Sequence, residues 1–349
     1  MKSRTVFITT LLMAALLSSW AGAQVFYAAP PTGFDPVKAS DDELDQYGLP
    51  PRPDASETVA YNAWKRLVTS PQTRLENPAV EVTNIVNGPA QNWQIQGTVK
   101  GNLTATTSDN WSGVAITAPS GTFTKNKSAV YMQGVMPAMG VDNCSYGPYA
   151  MSWWIGFDGA GNGDVLQAGS NSTTCSTSYV VWYEWFEAGC TSSSGSYPCY
   201  QTNLSLAVSP GDYLAMEVWY TTASPKGHAY ILNYTTGKSV SVGFNEPSGT
   251  ATYEGSSVEW ITERPGYSSG LANLANYLGQ PSDAAYAYNG SSIFYPGKTP
   301  SGTTAYSITM TCPPWNPSSA CPKKNTALSL TEVSGTSNIW TFVDGPAYQ

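Results

Sequence analysis

From about residue 104 to the end of the chain, short runs rich in Val, Tyr, Trp and Thr alternate with clusters of Gly, Ser, Thr and Asn. Apolar side chains recurring every second residue between turn formers are the pattern of strands packed face to face. The runs predict strands over 129–135, 149–157, 178–186, 213–221, 228–234, 258–262 and 304–311. About 240 residues of this kind fit a single all-β domain of sandwich type, since sandwiches often run that long. No solenoid repeat and no low-complexity tract interrupts them.

The region before it follows a different period. Between about Gln24 and Lys100 the chain carries most of its Pro-rich and helix-like sequence. Ser40-Asp41-Asp42-Glu43 is a capping box and predicts a short helix toward Tyr47. A second helix is expected after Ser56-Glu57, because Ala60, Ala63, Trp64, Leu67 and Val68 then share one face, and Pro71 ends it. At the very start, Met1-Lys2-Ser3-Arg4, an apolar run from Val6 to Leu17 and Ala21-Gly22-Ala23 have the order of a secretory signal over residues 1–23. That run is short for a membrane span, and no later stretch reaches the roughly 20 apolar residues a spanning helix needs. The expectation is an exported protein, extracellular or periplasmic, that does not act in a membrane.

Charge narrows the partners. Only 11% of residues are charged and the formal net charge is -8, which argues against nucleic acid, whose phosphates demand clustered Lys and Arg. A chain with few ion pairs also loses little when carboxylates protonate, so the composition suits work at low pH. The six cysteines, Cys144, Cys175, Cys190, Cys199, Cys312 and Cys321, all follow the signal and are disulfide candidates. The close pairs Cys190/Cys199 and Cys312/Cys321 suggest local staples, leaving Cys144 with Cys175, although spacing alone leaves the connectivity open. With one histidine and no Cys-x-x-Cys, no metal site or cofactor is expected.

Two strands carry unusual polar residues: Gln167 in Asp164-Val165-Leu166-Gln167-Ala168-Gly169, and Glu263 in Val258-Glu259-Trp260-Ile261-Thr262-Glu263-Arg264-Pro265. Strand alternation puts Glu259, Ile261 and Glu263 on one face, as it does Trp182, Glu184 and Phe186, and Val165, Gln167 and Gly169. Lining one cleft, these faces would offer a glutamine, carboxylates and aromatic platforms to a polypeptide. A carboxylate can take a proton from water while a neutral amide donates to the carbonyl oxygen as charge develops there. Glu263 fits the first role and Gln167 the second. Glu259 is the rival carboxylate, but four residues along a strand span about 13 Å, so it cannot share a reacting atom with Glu263.

Together with Asn110-Trp111-Ser112-Gly113, Trp153-Trp154-Ile155-Gly156-Phe157-Asp158-Gly159 and Trp182-Tyr183-Glu184-Trp185-Phe186, these two strands resemble, in order, the glutamic peptidases or eqolisins. The resemblance covers residues 110–265. It implies a jelly-roll, concanavalin-like sandwich of two antiparallel sheets with a concave binding face, and an acid endopeptidase whose Gln/Glu dyad maps onto Gln167 and Glu263. It also implies that Trp111 and Trp182 line substrate and that Asp158 supports the site, with Glu184, Phe186 and Glu259 along the cleft. Phe186 departs from the tyrosine usual there. Residues 24–100 look like the N-terminal extension of bacterial members, a prosegment ahead of a peptidase domain over 101–349. Lys65 and Arg66 on its second helix, with Arg74 just beyond, suggest that opposite charges help the prosegment cover the acidic cleft at neutral pH, with release and self-cleavage in acid somewhere between Arg74 and Asn110.

Other chemistries fit less well. His228 has no evident Ser or Cys nucleophile, and Asp-Thr-Gly and Asp-Ser-Gly are absent. A jelly-roll glycoside hydrolase using Glu184 and Glu263 is one alternative, needing carboxyls about 5 to 9.5 Å apart but no glutamine. A lectin-like binding module is another, and it gives no reason for a removable N-terminal block. The protein is expected to act on peptides as a monomer.

Overall fold

The computed structural model describes residues 24–98, 103–140, 149–174, 178–189, 200–247, 252–268, 270–312 and 327–343. Every strand expected from the alternation is present within a residue or so, including Tyr149–Phe157 and Thr304–Thr311 at the expected bounds. The signal at 1–23 and five of the six cysteines lie outside the described residues; Cys312 is buried in the core.

The strands form two layers. In the front layer, hydrogen bonding runs in order through Thr202–Leu204, Ser178–Glu187, Asp164–Thr173, Tyr149–Phe157, Ser257–Glu263, Trp111–Thr117 and Thr304–Thr311, all antiparallel. The back layer runs through Asn338–Val343, Gly279–Tyr288, Ser128–Val135, Tyr213–Tyr220, Gly227–Asn233 and Lys238–Phe244. Ala327–Ser334 joins them, pairing with both Thr304–Thr311 and Asn338–Val343. The core between the layers takes alternate residues from each: Trp153, Ile155, Leu166, Tyr183 and Trp260 from the front, Val130, Met132, Met216 and Ile231 from the back. Burying such rings dominates the stability of a sandwich. The Trp260 indole also donates across the interface to the Tyr131 carbonyl at 2.9 Å.

The N-terminal region wraps around this sandwich. Val25–Phe26 and Thr73–Arg74 both extend the back layer at Lys238–Phe244. Helix α1 (Asp41–Gln46) starts at the capping box, with the Ser40 hydroxyl accepting from the Glu43 N–H. Helix α2 (Thr58–Thr69) buries the predicted stripe Ala60, Ala63, Trp64, Leu67 and Val68. Both pack on the outer surface of the back layer, against Tyr131, Ala215, Trp219, Tyr230, Leu232 and Tyr286. The Arg66 and Arg74 charges, expected to help the prosegment cover the cleft, therefore lie at the back layer instead. The apolar stripe of α2 finds a matching apolar sheet face at the back, and Arg66 stacks over Tyr213 and Tyr234. Arg74 donates to the carbonyls of Ala28 and Tyr47 and stacks over Tyr230. Beyond Arg74 the chain turns to the front, where Val80–Val82 pairs with the edge strand Thr202–Leu204. Gln94–Thr98 then pairs with Leu103–Ser108. No helix among the described residues is long and apolar enough to cross a membrane.

Candidate active site

Strand register brings the sequence candidates onto the outer face of the front layer. Glu184 lies opposite Gln167, Gln167 opposite Gly156, and Gly156 opposite Glu259. The glycine between the polar residues is required: a Cβ there would fall 2.9 Å from the Gln167 Cβ and 2.7 Å from the Leu166 carbonyl oxygen. The next row on the same face is Trp182, Gly169, Trp154 and Ile261. Trp111, Trp154, Trp182, Val165 and Ile261 form one apolar cluster on this face, and the half-buried Phe186 packs at its edge.

Glu263 is held from two sides. The Asn110 amide donates to its Oε1 at 2.9 Å and the Trp154 indole to its Oε2 at 2.8 Å. Burial pushes its carboxyl well above the usual range, while Asn110, Trp154 and the Gly88 N–H pull the other way by favouring the charged form. Glu184 is likewise pushed up by burial, and the charge of Glu263 adds to it; hydrogen bonds from Asn87 oppose the rise.

The cleft is filled by the chain's own N-terminal region. The Thr83 N–H donates to the Gln201 carbonyl at 3.0 Å and Gln201 N–H to the Ile85 carbonyl at 3.2 Å. Val86 and Gly266 then exchange both backbone bonds, at 3.0 and 2.7 Å. At Asn87, the backbone N–H and the side-chain amide both donate to Glu184 Oε2, at 3.1 and 3.0 Å, and the amide also reaches Gln201 Oε1 at 3.0 Å. The Gln167 amide donates to the Asn87 carbonyl. The Gly88 carbonyl accepts from the Trp111 indole and the Pro89 carbonyl from the Asn110 amide, each at 3.1 Å. Ala90 and Gln91 continue the path, donating to the Gly159 carbonyl at 3.1 Å and to Asn110 Oδ1 at 2.8 Å.

The remaining candidates lie beside this set. The Asp158 carboxylate accepts from the Glu254, Gly255 and Ser256 N–H groups at 2.7–2.8 Å and from the Ser256 hydroxyl at 3.0 Å. It therefore fixes the loop that leads into the glutamate strand. Glu259 is fully buried, its carboxyl pushed well up by burial, and it takes no part in the hydrogen bonds around Glu263. His228 is stacked on Trp219 and held by the Pro225 carbonyl, and burial lowers it to about 4. Asp164, Glu187 and Glu246 bring carboxyl oxygens within 4.8 Å of one another. There burial and the nearby Asp158 charge raise Asp164 to about 9.

Sequence reading missed four participants. Asn110 and Trp154 lay within motifs already singled out, but only the register shows that their amide and indole meet on Glu263. Gln201 and Asn87 sit outside any motif. A Thr-x-Ile-Val-Asn-Gly run ahead of a proline was the available signal for an extended segment with a turn-prone dipeptide.

The Peptidase A4 family profile matches residues 109–311, more than half of the chain. Among solved structures, scytalido-glutamic peptidase bound to a peptide-based transition-state analogue aligns with TM-score 0.49 and 20% identity, over 68% of this chain and 98% of that one. SCP-B, an eqolisin in complex with the tripeptide Ala-Ile-His, aligns with TM-score 0.49 and 19% identity over the same shares. Aspergilloglutamic peptidase from Aspergillus niger gives 0.40 and 26%, over 56% of this chain and 99% of that one. No curated protein matches the chain. With the profile spanning every strand of the front face from Trp111 onward, the chain belongs to the Peptidase A4 family and is a glutamic endopeptidase.

Proposed function

We propose that this protein is an exported acid endopeptidase that cuts peptide bonds with Gln167 and Glu263, made with a signal over residues 1–23 and a prosegment over 24–100. The observation that carries the reading is the main chain of residues 83–91 stretched across the outer face of the front layer, with the Asn87 carbonyl on Gln167 and the Pro89 carbonyl on the same Asn110 amide that binds Glu263. An extended peptide added along a sheet, paired through its backbone and anchored by alternate side chains, is how a strand-lined cleft grips a polypeptide. Ionised Glu263 takes a proton from water, the hydroxide attacks the carbonyl carbon, and Gln167 donates to the oxygen as it becomes negative. The proton on Glu263 then passes to the amine that leaves. Asn110 and Trp154 hold the carboxylate in place, and Trp111 and Trp182 build the apolar wall beside it.

The amide of Gln167 does not titrate, so a single carboxyl, Glu263, sets the acid limit of activity, and the Asn110 and Trp154 hydrogen bonds favour its ionised form against the rise that burial causes. The described ion pairs, Lys38–Asp35, Lys127 with Asp41 and Asp45, and Lys226–Glu246, are at least partly exposed and contribute little to the fold. In the test, secreted wild type, Glu263→Gln and Gln167→Ala are incubated with denatured protein from pH 2 to 7. The wild type should cut, Glu263→Gln should be inactive, and Gln167→Ala should lose about 10² to 10³ in turnover. A well-folded Glu263→Gln protein with near wild-type activity would remove Glu263 from the chemistry.

A further inference from the structure

We infer that the bond between Asn87 and Gly88 is the protein's own cleavage site, cut within the same chain by the pair that it occupies. The inference rests on the dyad proposed above and names its first substrate. Six contacts from four front-layer residues and Gln201 bracket this single peptide group. On the acyl side, the Gln167 amide donates to the Asn87 carbonyl, while Glu184 and Gln201 take the Asn87 amide and backbone N–H at 3.0–3.1 Å. On the amine side, Trp111 and Asn110 hold the next two carbonyls at 3.1 Å, and the same Asn110 amide binds Glu263 at 2.9 Å.

The neighbouring peptide groups do not meet these conditions. The Val86 carbonyl is paired with the Gly266 N–H at 2.7 Å, and the Gly88 carbonyl accepts from an indole rather than from Gln167. The bond after Gly88 runs into Pro89, whose nitrogen carries no hydrogen to face a carboxylate. Among these, Asn87–Gly88 alone has its carbonyl on the Gln167 amide and a nitrogen that bears a hydrogen, with Glu263 held beside it by the Asn110 amide that also binds the Pro89 carbonyl. Hydrolysis adds one water: hydroxyl to the Asn87 carbonyl carbon and, through Glu263, a proton to the Gly88 nitrogen, with the C–N bond breaking between them. Asn87 becomes a C-terminal acid and Gly88 a new N-terminus.

Asn87 is then also the residue whose side chain the cleft reads on the acyl side of the bond. Its amide bonds Glu184 and Gln201 together, so a residue of the same size without donors leaves the buried Gln201 Oε1 unpaired and takes one of the donors from Glu184, which keeps the Asn87 backbone N–H.

The test uses the full-length secreted chain, incubated from pH 3 to 7 at several concentrations, with N-terminal sequencing and intact mass, and hydrolysis of denatured protein in parallel. The wild type should yield a chain beginning at Gly88, at a rate independent of concentration. Gln167→Ala should slow it about 10² to 10³-fold, Glu263→Gln should abolish it, and Asn87→Leu should slow it at least tenfold. A wild type that cuts denatured protein in a Glu263-dependent manner but starts elsewhere overturns the bond assignment and leaves the dyad standing. Loss of denatured-protein hydrolysis in neither dyad variant overturns the dyad itself. Cleavage after Asn87 that persists in Glu263→Gln assigns the break to intrinsic Asn-Gly chemistry and refutes the proposal, and a rate proportional to concentration refutes cutting within one chain.

Discussion

Replacing Glu217 with Gln should flatten the pH dependence of this protein's stability. Glu217 sits on Tyr213–Tyr220, fully buried among Tyr131, Tyr230 and Tyr286 beneath α2, in the layer opposite Gln167 and Glu263. Burial pushes its carboxyl well above the usual range, with the Tyr286 hydroxyl opposing the rise. The folded chain therefore keeps a proton that the unfolded chain, with an ordinary glutamate near 4.3, has released. The stabilisation is fully present below about pH 4.3 and is lost as pH rises toward the folded value. Each pH unit between the unfolded and the folded value costs about 1.4 kcal/mol, so the stabilisation drains away steadily as pH rises above about 4.3. Glutamine keeps the size and a donor of the neutral acid but does not titrate. Urea unfolding should be measured at half-unit steps from pH 4 to 7, with Glu263→Gln as the background to prevent self-digestion. Near pH 4 the added Glu217→Gln change should cost under about 1 kcal/mol, the scale of one hydrogen bond, and as pH rises toward 7 the variant should become the more stable protein. Parallel curves for the two proteins would mean that Glu217 is ionised in the fold, and the reasoning would fail. Asp164, Glu184, Glu259 and Glu263 shift in the same direction, so the whole protein should gain stability as pH falls from 7 toward 4.

Asn110→Ala removes a donor that favours ionised Glu263, so the acid limb of the kcat profile should move up by about one pH unit, the scale of one hydrogen bond to a charge; an unmoved limb would exclude Asn110 as a positioning residue. Asp158→Asn places an NH2 group against three backbone N–H donors and should destabilise by about 1–3 kcal/mol, read from the urea midpoint, with a smaller change in KM. Trp182→Ala should raise KM for peptides more than it lowers the unfolding midpoint; a midpoint loss of about 3–5 kcal/mol, the cost of an emptied core site, with KM unchanged would assign the ring to packing alone.

Much of the architecture was legible because short-range physics sets it. The period-two runs gave the strands, since one face of each had to meet the core, and the alternation correctly divided Glu263, Ile261 and Glu259 from Trp260 and Val258. Ser40 and Glu43 marked the start of α1 through bonds that span three residues. The stripe on α2 was equally readable. The partner of that stripe was not, because an amphipathic helix states only that an apolar surface awaits it. Charge suggested the acidic cleft, and the apolar outer face of the back layer prevailed, as area burial outweighs screened surface charge.

The sequence by itself determined the class of the protein: an all-β chain, sparse in charge, whose ordered motifs placed a glutamine and a glutamate on β-prone runs. Local patterns carry that information because alternation, capping and motif order are properties of contiguous residues. Only the tertiary structure decided what these residues face. Register between strands distant in sequence put Gln167 opposite Gly156 and Glu184, and let Asn110 and Trp154, 153 and 109 residues from Glu263, close on its carboxylate. It also laid the Asn87 carbonyl on the Gln167 amide, 80 residues away in sequence. Such meetings depend on how whole sheets stack and on the path of the chain around them, which no local spacing encodes.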